Sequence, residues 1–412
     1  MDLDVLIFGT GIAGLWTLGR LAAAGIRVAA LESDSVGSQQ TVYSQGIVHG
    51  GAKYLFGRAE KASSSPLSAM PRLWRDCING CGELRLDRTG LLSESHYLWT
   101  TGGVVSQVTG AIAGKVVAGD ATRITNRDDC PEALVPVLGK GRVYRLNEPV
   151  FDVPSLLTDL RTSFQSRIRH YDGTLEVRRA TNSEKIESVT VTHPLTGNTV
   201  TLRARWYVLA AGAGNEVLSQ QFLNAAAPKT QRRPLHMVMA RGPGLLPVFA
   251  HCIGSRPKPL VTITTHPVDG GPVWYLGGEL AESGVGRDDT RQIQHAIDTL
   301  HRTLPGARLD MTEWSSVPID RAEPAQRHGR RPEHECVVCH GNVLTIWPTK
   351  LALAPRLAAR LVDTVAHDAS NVTMARTADT DWNPFAAFEP WPNPSVAVPP
   401  WLETKRRWIS AP

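Results

Sequence analysis

Short apolar runs separated by polar turns mark the start of the chain as a β-α-β unit. Residues 4–8 form an apolar run of strand length, residues 15–24 have the pattern of a helix that ends at Gly25, and residues 27–31 form a second apolar run. Runs of this length, bounded by glycine, are typical of buried strands joined by a helix. The pattern predicts two neighbouring strands with a helix between them, as in an α/β fold.

Further along, strand-length runs outnumber helical ones. Residues 206–214 predict a buried strand that ends in small residues. Residues 342–347 predict another strand, followed by a turn at 348–350 and an amphipathic helix at 351–365. Other runs of strand length lie at residues 175–179, 188–192, 200–203, 260–265 and 272–279.

The turn between the first strand and the first helix reads GTGIAG and fits the pattern G-x-G-x-x-G. Gly9 permits the tight turn, Gly11 lets the backbone approach a pyrophosphate, and Gly14 lets the helix pack on the strand. The helix N-terminus would present free N–H groups and a positive dipole end to the phosphates. Glu32, at the tip of the second strand, would accept hydrogen bonds from an adenosine ribose. We therefore predict a dinucleotide-binding site; a fortuitous glycine turn is the alternative.

Length and charge limit the class of protein. A chain of 412 residues with 42% hydrophobic content is long enough for two or three domains or subdomains. It has no apolar run of eighteen residues that would predict a transmembrane helix. It also begins directly with the first strand, so we expect a cytoplasmic protein rather than an exported one. The net charge of +5 and the pI near 8.9 fit an anionic substrate or an anionic membrane surface. Nucleic acid is not indicated, since no basic stripe or binding motif occurs.

The cysteines predict structural thiols. They are Cys77, Cys81, Cys130, Cys252, Cys336 and Cys339. Free thiols are the usual state in a cytoplasmic chain of this size. Residues 336–340 read CVVCH and formally match haem attachment, which would need export. The valines of that segment and the following Gly341-Asn342 are instead typical of a strand and its hairpin turn. Redox or metal chemistry is the alternative.

Together these segments resemble the FAD-dependent D-amino-acid oxidase superfamily of the glutathione-reductase type, over residues 3–367. Residues 44–55 (SQGIVHGGAKYL) and 344–351 (LTIWPTKL) are most similar to segments of flavin glycerol-3-phosphate dehydrogenases and 2-hydroxyglutarate dehydrogenases. The resemblance implies an α/β fold, with a Rossmann-like FAD-binding domain and an interleaved antiparallel β-sheet substrate domain that roofs the flavin ring. A second dinucleotide fingerprint is absent, so we expect one tightly bound FAD rather than NAD(P)H as well. NAD in the first site, with no flavin, is the alternative.

The resemblance also implies which residues contact the cofactor. The predicted cofactor-binding residues are Gly9, Gly11, Ile12, Ala13, Gly14, Glu32, Ser33, Gln40, Thr41, Ser44, Gln45, Gly46, Ile47, Val177, Ala211, Gly212, Pro348, Thr349, Lys350 and Leu351. In the family, the last turn and its helix N-terminus face the flavin C2 carbonyl. There the dipole end and Lys350 would stabilise negative charge on the reduced flavin.

The resemblance further implies how the chain divides. We expect an FAD-binding domain from residues 1–80, 145–220 and 335–370, a substrate domain from residues 81–144 and 221–334, and a Pro/Trp-rich C-terminal tail from residues 371–412. The tail has Trp382, Trp391, Trp401 and Trp408 spread among prolines, which does not fit a helix. It predicts an extended segment packed along the body. A docking surface for a membrane or a partner protein is the alternative, favoured by the basic residues 405–407.

Three residues are the first candidates for contact with substrate. His49 can take an alcohol proton while hydride leaves carbon, or it is a histidine tied to backbone near the flavin. Lys53 replaces an arginine of the glycerol-3-phosphate enzymes and can bind carboxylate or phosphate, unless it is only solvated. Tyr275 either points at substrate or packs within its strand.

The anion clamp of the resembling family is altered in this chain. The family's Gly-x-Arg-Pro segment is not reproduced, because residues 315–321 read SSVPIDR and Val317 precedes the proline. A bidentate clamp is therefore lost or moved to Arg321, which argues against glycerol 3-phosphate itself.

The leading hypothesis is an FAD-dependent dehydrogenase or oxidase. It would remove hydride to flavin N5 from a hydroxyl-bearing carbon of a small anionic molecule, such as a 2-hydroxy acid or a polyol derivative. Oxidation of an amine or amino acid on the same scaffold is the second hypothesis. The third is an FAD-binding subunit or interaction module. Oxygen, a quinone or a protein would reoxidise the flavin, and the tail would allow a peripheral position on the inner membrane face.

Overall fold

The computed structural model describes residues 2–51, 67–101, 121–254, 258–369, 382–386 and 390–410. The strands within these residues are β1 (Asp2–Phe8), β2 (Val28–Glu32), β3 (Leu91–Ser93), β4 (His96–Thr100), β5 (Ala121–Ile124), β6 (Val143–Leu146), β7 (Val150–Phe151), β8 (Ile168–His170), β9 (Leu175–Arg179), β10 (Ile186–Thr192), β11 (Thr199–Leu209), β12 (Thr230–Arg241), β13 (Ala250–Ile253), β14 (Pro259–His266), β15 (Val273–Gly277), β16 (Glu313–Pro324), β17 (Cys336–His340), β18 (Val343–Trp347) and β19 (Ile409–Ser410). The α-helices are α1 (Ile12–Ala23), α2 (Met70–Ile78), α3 (Val153–Ser163), α4 (Asn215–Leu223), α5 (Glu279–Ser283), α6 (Asp289–Thr303) and α7 (Ala354–Ala369).

The first sheet has a parallel centre. Among the described residues its strands follow the order β17-β18-β11-β1-β2-β8, with β10 and β9 continuing from β11. β1 pairs in parallel with both β2 and β11, and β11 pairs in parallel with β18. All five residues of β2 are buried because hydrophobic cores cover both faces of the sheet. The predicted β-α-β unit is confirmed, with the helix beginning at Ile12 instead of Leu15.

β11 joins two runs that the pattern predicted as separate strands. Its first residues pair antiparallel with β10, from Thr199 to Leu202. The following residues, up to Leu209, pair in parallel with β1. One continuous strand therefore passes from the peripheral meander into the centre of the sheet, and it delivers the small residues after Leu209 to the carboxyl edge.

The second sheet is largely antiparallel. Its strands follow the order β19-β16-β12-β15-β14-β13-β4-β6-β5 among the described residues, and β4 with β13 is a parallel pair. β12 and β16 pair over twelve residues each. A core that contains Trp99, Trp274 and Trp314 lies on one face of this sheet together with α6. The predicted α/β architecture, with a parallel sheet and an interleaved antiparallel one, is confirmed. The residue limits predicted for the two domains stay a prediction.

All six cysteines lie within the described residues and are free thiols, as predicted. Cys336 and Cys339 lie in β17, which forms a hairpin with β18 through Gly341 and Asn342. Residues three apart in a strand point to opposite faces of the sheet. The CVVCH segment therefore does not bring its two thiols together.

Residues 390–410 form an extended strap across both sheets, which we call the C-terminal strap. At the first sheet, the indole N–H of Trp391 donates to the carbonyl of His170, and Val396 forms a bridge with Val36. At the second sheet, Trp401 is buried and β19 pairs with β16. The ring of Trp408 lies under the guanidinium of Arg241, 4.3 Å away.

These contacts occupy the aromatic side chains that a docking surface would need. The predicted extended tail is therefore found over residues 390–410, and its tryptophans face the body of the protein. Within the described residues, none of the helices has both the length and the apolar character needed to cross a membrane.

Candidate active site

The glycine turn and the end of β11 meet at a distance that only small residues allow. Gly9 has φ +100°, and a Cβ there would lie 2.6 Å from the Cα of Ala211. A Cβ on Gly14 would lie 1.9 Å from the carbonyl oxygen of Gly9, so α1 packs directly on the turn. Two segments about two hundred residues apart in sequence thus form one edge, as the small-residue pattern predicted.

The N-terminus of α1 presents its first amide to this edge. Gly11 is the N-cap and offers no side-chain oxygen, and the amide of Ile12 donates to the hydroxyl of Thr41 at 3.2 Å. A phosphate at this position would gain the helix dipole and amide donors. The geometry therefore fits a pyrophosphate above Gly11.

The Glu32 carboxylate lies at the tip of β2 and is nearly buried. Its Oε2 accepts from the amide and the hydroxyl of Thr10, at 2.7 and 2.8 Å. Its Oε1 accepts from the amides of Ser33 and Asp34, at 3.0 and 3.1 Å. A carboxylate accepts about four hydrogen bonds, so these contacts use its capacity and hold the glycine turn to β2. The predicted hydrogen bond between Glu32 and a ribose stays a prediction. It requires that a carboxylate oxygen accept from the ribose in addition to one of these four donors.

A single cavity of about 940 Å³ runs from Glu32 to His49. This volume is near the upper end of the roughly 300–1,000 Å³ found for ligand pockets. The predicted site residues that line it are Gly9, Gly11, Ile12, Ala13, Glu32, Ser33, Gln40, Thr41, Ser44, Gln45, Gly46, Ile47, His49, Ala211, Gly212, Arg321, Pro348, Thr349, Lys350 and Leu351. Its size and its backbone-lined nucleotide end fit a flavin dinucleotide.

Three predicted contact residues are not in the cavity lining. Gly14 lies beneath the turn, where it packs α1 against Gly9. Val177 lies in β9 and packs on a hydrophobic core of the first sheet. Tyr275 is fully buried, and its hydroxyl donates to the carbonyl of Tyr43 at 3.0 Å.

Tyr275 had two predicted roles, contact with substrate or packing within its strand, and its burial in a cluster with Met237 and Trp401 supports the packing role. Its strand position faces the cavity side, but Tyr43 covers it. Lys53, the other predicted anion-binding residue, lies outside the described residues.

The segment between β2 and His49 is tied to the second sheet by two glutamine side chains. The Gln40 oxygen accepts from the amide of Ala322 at 3.0 Å. The Gln45 amide nitrogen donates to the carbonyls of Tyr275 and Thr262, at 2.9 and 3.3 Å. These contacts fix the wall of the cavity between the two sheets.

His49 lies at the inner end of the cavity beside a buried carboxylate. Its Nδ1 is 3.1 Å from Oε2 of Glu148, whose Oε1 accepts from the amide of Gly50 at 2.8 Å. Glu148 is only 3% exposed. A buried carboxylate on Nδ1 orients the imidazole ring. The site therefore has the composition of a histidine base with an orienting acid.

A second imidazole adjoins His49. The ring of His251 is 5.4 Å from that of His49, and its Nδ1 is 2.7 Å from the hydroxyl of Thr262. His96 follows, with its ring 4.1 Å from that of His251. Among the described residues, no group of three or more His, Cys, Asp or Glu is arranged to hold a metal ion. The contacts of these imidazoles are hydrogen bonds and ring packing.

The opposite wall carries cations gathered around Glu282. Its carboxylate lies 2.6 Å from Nζ of Lys258, 3.4 Å from Arg233 and 3.5 Å from Arg321. Burial alone would raise the pKa of Glu282, but Lys258 and the two arginines lower it below its ordinary value.

Arg321 and Arg233 are much more enclosed than Lys258, with side-chain exposures of 18% and 17% against 66%. Burial, together with the neighbouring Arg233 and Arg331, lowers the pKa of Arg321 to about 10. The group remains a cation at neutral pH. Guanidinium groups crowded in a partly buried wall favour an anionic ligand, because an anion relieves their mutual repulsion.

The turn after β18 closes the cavity on another side. Thr349 has φ +60°, and its hydroxyl donates to the carbonyl of His334 at 3.1 Å. Nζ of Lys350 donates to the carbonyl of Glu333 at 3.1 Å. A short 3₁₀ turn, Leu351–Leu353, then leads into α7. The predicted turn and helix are thus confirmed, and Lys350 lines the cavity while it also ties two loops together.

Several lining or adjoining residues were not predicted from the sequence. They are Tyr43, Glu148, Arg233, His251, Lys258, Thr262 and Glu282. His251 and Thr262 interrupt apolar strand runs, and a polar residue within such a run is a usable signal. Glu148 lies in a polar connection and has no comparable pattern.

The chain is similar to known proteins in both sequence and fold. The family of FAD dependent oxidoreductases denoted DAO matches residues 4–348. A probable FAD-dependent oxidoreductase of Pseudomonas aeruginosa is 42% identical over 406 residues, which are 97% of this chain and 98% of that protein. The crystal structure of an FAD dependent oxidoreductase from Pseudomonas aeruginosa matches with a TM-score of 0.78 and 38% identity, over 97% of this chain and 98% of that one.

Two more distant solved structures share the fold. Glycine oxidase from Geobacillus kaustophilus has a TM-score of 0.62 and 17% identity, over 92% of this chain and 100% of its own. L-alpha-glycerophosphate oxidase from Mycoplasma pneumoniae, solved with FAD bound, has a TM-score of 0.64 and 13% identity, over 93% of this chain and 98% of its own. Both the amine-oxidising and the alcohol-oxidising branches are thus represented among proteins of this fold.

Proposed function

The chain belongs to the DAO family of FAD-dependent oxidoreductases, and from this premise we propose that it oxidises a small anionic substrate at a carbon that bears a hydroxyl group. Bound FAD supplies the two-electron acceptor for this chemistry. The protein's residues bind the substrate, orient it and remove its proton. A 2-hydroxy acid or a polyol derivative has the required groups.

The observation that supports alcohol oxidation is the pairing of the partly buried His49 with the buried Glu148. An alcohol must lose its O–H proton as its carbon loses hydride, and a positioned base typically contributes about 10²–10⁴-fold to such a step. Nδ1 of His49 is held 3.1 Å from the Glu148 carboxylate, and the imidazole oriented in this way is the group that takes the alcohol proton. The carboxylate then stabilises the imidazolium.

The cationic wall supports an anionic group elsewhere on the substrate. Arg233, Lys258 and Arg321 surround one carboxylate, Glu282, and all line the cavity. An anion bound there would hold the substrate at one end while its hydroxyl lies at His49. Lys350 and the start of α7 would offset negative charge at the other side of the cavity.

The test is turnover of a His49→Asn variant with its flavin content measured. Anaerobic bleaching with a panel of hydroxy acids, polyol phosphates and amino acids first identifies the substrate class. We expect His49→Asn to retain bound FAD and to reduce kcat by about 10²-fold or more. His301→Asn, on the exposed face of α6, is the matched control and should behave like the wild type.

A second variant separates orientation from proton removal. Glu148→Gln keeps an acceptor for the Gly50 amide but loses the negative charge beside His49. We expect kcat to fall about tenfold, because the imidazolium formed on proton removal then has no carboxylate beside it. Near-full turnover of His49→Asn with an amino acid would contradict alcohol oxidation and favour the amine hypothesis. If none of the hydroxy acids, polyol phosphates and amino acids bleaches the flavin of the purified protein, a structural role for FAD is favoured.

A further inference from the structure

We infer that the C-terminal strap supports the FAD site from outside the cavity, and that Glu403 is a positioning residue that fixes the cavity wall through Tyr43. The contact concerns cofactor retention and is independent of which substrate the protein oxidises. The Pro/Trp-rich C-terminal tail, which differs in composition from the rest of the chain, thus has a structural role in cofactor binding.

Tyr43 lies in the cavity lining and is held at two points. Its hydroxyl donates to Oε1 of Glu403 at 2.8 Å. Its main-chain carbonyl accepts from the hydroxyl of Tyr275 at 3.0 Å. The strap therefore fixes the side chain, while the second sheet fixes the backbone.

Glu403 is itself anchored to the second sheet. It pairs with Arg406, whose guanidinium donates to the carbonyls of Ser316 at 3.1 Å and Pro400 at 3.2 Å. Trp401, two residues before Glu403, stacks on the ring of His266 with centroids 3.8 Å apart. These contacts hold Glu403 in place against the second sheet.

Tyr43 belongs to the same short segment as Thr41 and Gln45. Thr41 accepts from the first amide of α1, and Gln45 binds the carbonyls of the second sheet. If Tyr43 is released, this segment samples arrangements in which the cavity does not fit the cofactor. Apparent affinity falls in proportion to the fraction of molecules that remain competent to bind. Burial and Glu403 raise the pKa of Tyr43 to about 12, so the phenol remains a donor throughout the neutral range.

The test measures FAD affinity, by dilution of the holoenzyme and the rise of flavin fluorescence as the cofactor leaves. Tyr43→Phe removes the hydroxyl and keeps the ring, and Glu403→Ala removes the acceptor. We expect each to raise the Kd for FAD about five- to tenfold, and the double variant to raise it no further, because both act on one contact. Glu403→Gln keeps an acceptor oxygen and should bind FAD more tightly than Glu403→Ala.

A control variant distinguishes this contact from general loosening of the strap. Asn393→Ala removes the contact of the strap with Arg169 at its other end, 3.3 Å long. It should lower the Tm and leave the Kd for FAD within about twofold. The inference is overturned if Tyr43→Phe leaves the Kd unchanged, or if Asn393→Ala raises it as much as Tyr43→Phe does. Should Glu403→Ala fail to fold, the comparison of Tyr43→Phe with Asn393→Ala decides the matter.

Discussion

The two ends of the cavity are built in different ways. At the nucleotide end, one stretch from Gly9 to Glu32 supplies the turn, the helix terminus and the acid, and most of the groups it offers belong to the backbone. At the substrate end, His49, Glu148 and Arg321 come from segments far apart in sequence, and their side chains do the chemistry. The nucleotide-binding turn is thus encoded locally, whereas substrate chemistry depends on how two sheets come together.

The two ends should be sensitive to different kinds of substitution. A backbone site is sensitive to added volume, because there is no side chain to give way. A side-chain site is sensitive to lost charge or lost hydrogen bonds, and the fold can survive the loss. Substitutions at the nucleotide end should therefore lower stability, whereas substitutions at the substrate end should lower turnover and leave the fold intact.

The largest effect is expected at Gly14. A Cβ there would lie 1.9 Å from the carbonyl oxygen of Gly9, so Gly14→Ala must push α1 away from the turn. We expect the free energy of unfolding to fall by about 3 kcal/mol and most bound FAD to be lost. Denaturant unfolding and visible absorbance measure both. Gly90→Ala is the control, since its Cβ would meet the hydroxyl of Ser155 at 3.3 Å. A stable, yellow Gly14→Ala protein would show that the close packing is dispensable.

Arg321 tests the opposite end. Arg321→Leu removes a cation from the wall around Glu282, so we expect KM to rise about 10–100-fold with FAD content unchanged. Steady-state kinetics with the substrate found by bleaching provide the measurement. Arg232→Leu is the matched control, because Arg232 pairs with Glu216 and is not part of the cavity lining. An equal rise in KM for both variants would indicate an effect of net charge alone.

His266 offers a smaller, pH-dependent effect on the second sheet. Burial lowers the pKa of His266 to about 3, whereas the unfolded chain has a value of about 6.5. Below pH 6.5 the unfolded state binds a proton that the folded state does not, so stability falls as the pH falls. Between pH 7 and pH 5 the loss should be about 2 kcal/mol.

His266→Leu should remove that part of the pH dependence. Denaturant unfolding at pH 5, 6 and 7 measures it, with the exposed His301→Leu as the control. If wild type and His266→Leu lose stability in parallel, the buried imidazole is not the group responsible.

The smallest effect is expected at the cysteine pair of β17. Cys336→Ser and Cys339→Ser should leave FAD content and turnover within about twofold, because the two thiols point to opposite faces of their sheet. Flavin absorbance and kcat of each variant provide the measurement. Loss of activity in either variant would revive the redox alternative for this segment.

The sequence predicted the nucleotide end well because its signals are local. The β-α-β unit, the hairpin of β17 and β18, and the helix after Lys350 all follow from spacing within short windows. The glycines of the turn are also local signals. A positive φ, such as that of Gly9, favours glycine whatever the neighbouring residues are.

The substrate end was only partly predictable. His49 was found through its segment, but its partner Glu148 lies 99 residues away, and no periodicity links the two. The burial of Tyr275 was not predictable for a different reason. Tyr275 lies on the face of its strand that points to the cavity, yet Tyr43 covers it. Such covering depends on loop conformation. Pairings between sheets are set by packing of whole elements, which a local pattern does not contain.

The bond between Tyr43 and Glu403 joins residues 360 positions apart. At a synthesis rate of about 5–20 residues per second, Glu403 is added roughly 20–70 s after Tyr43. The glycine turn and α1 have their own sequence complete long before that. The residues that complete the nucleotide edge, after β11, and those that support the flavin wall are therefore added at different times, with the wall support last. Cofactor that binds before Glu403 is in place would be held about five- to tenfold more weakly than in the completed fold.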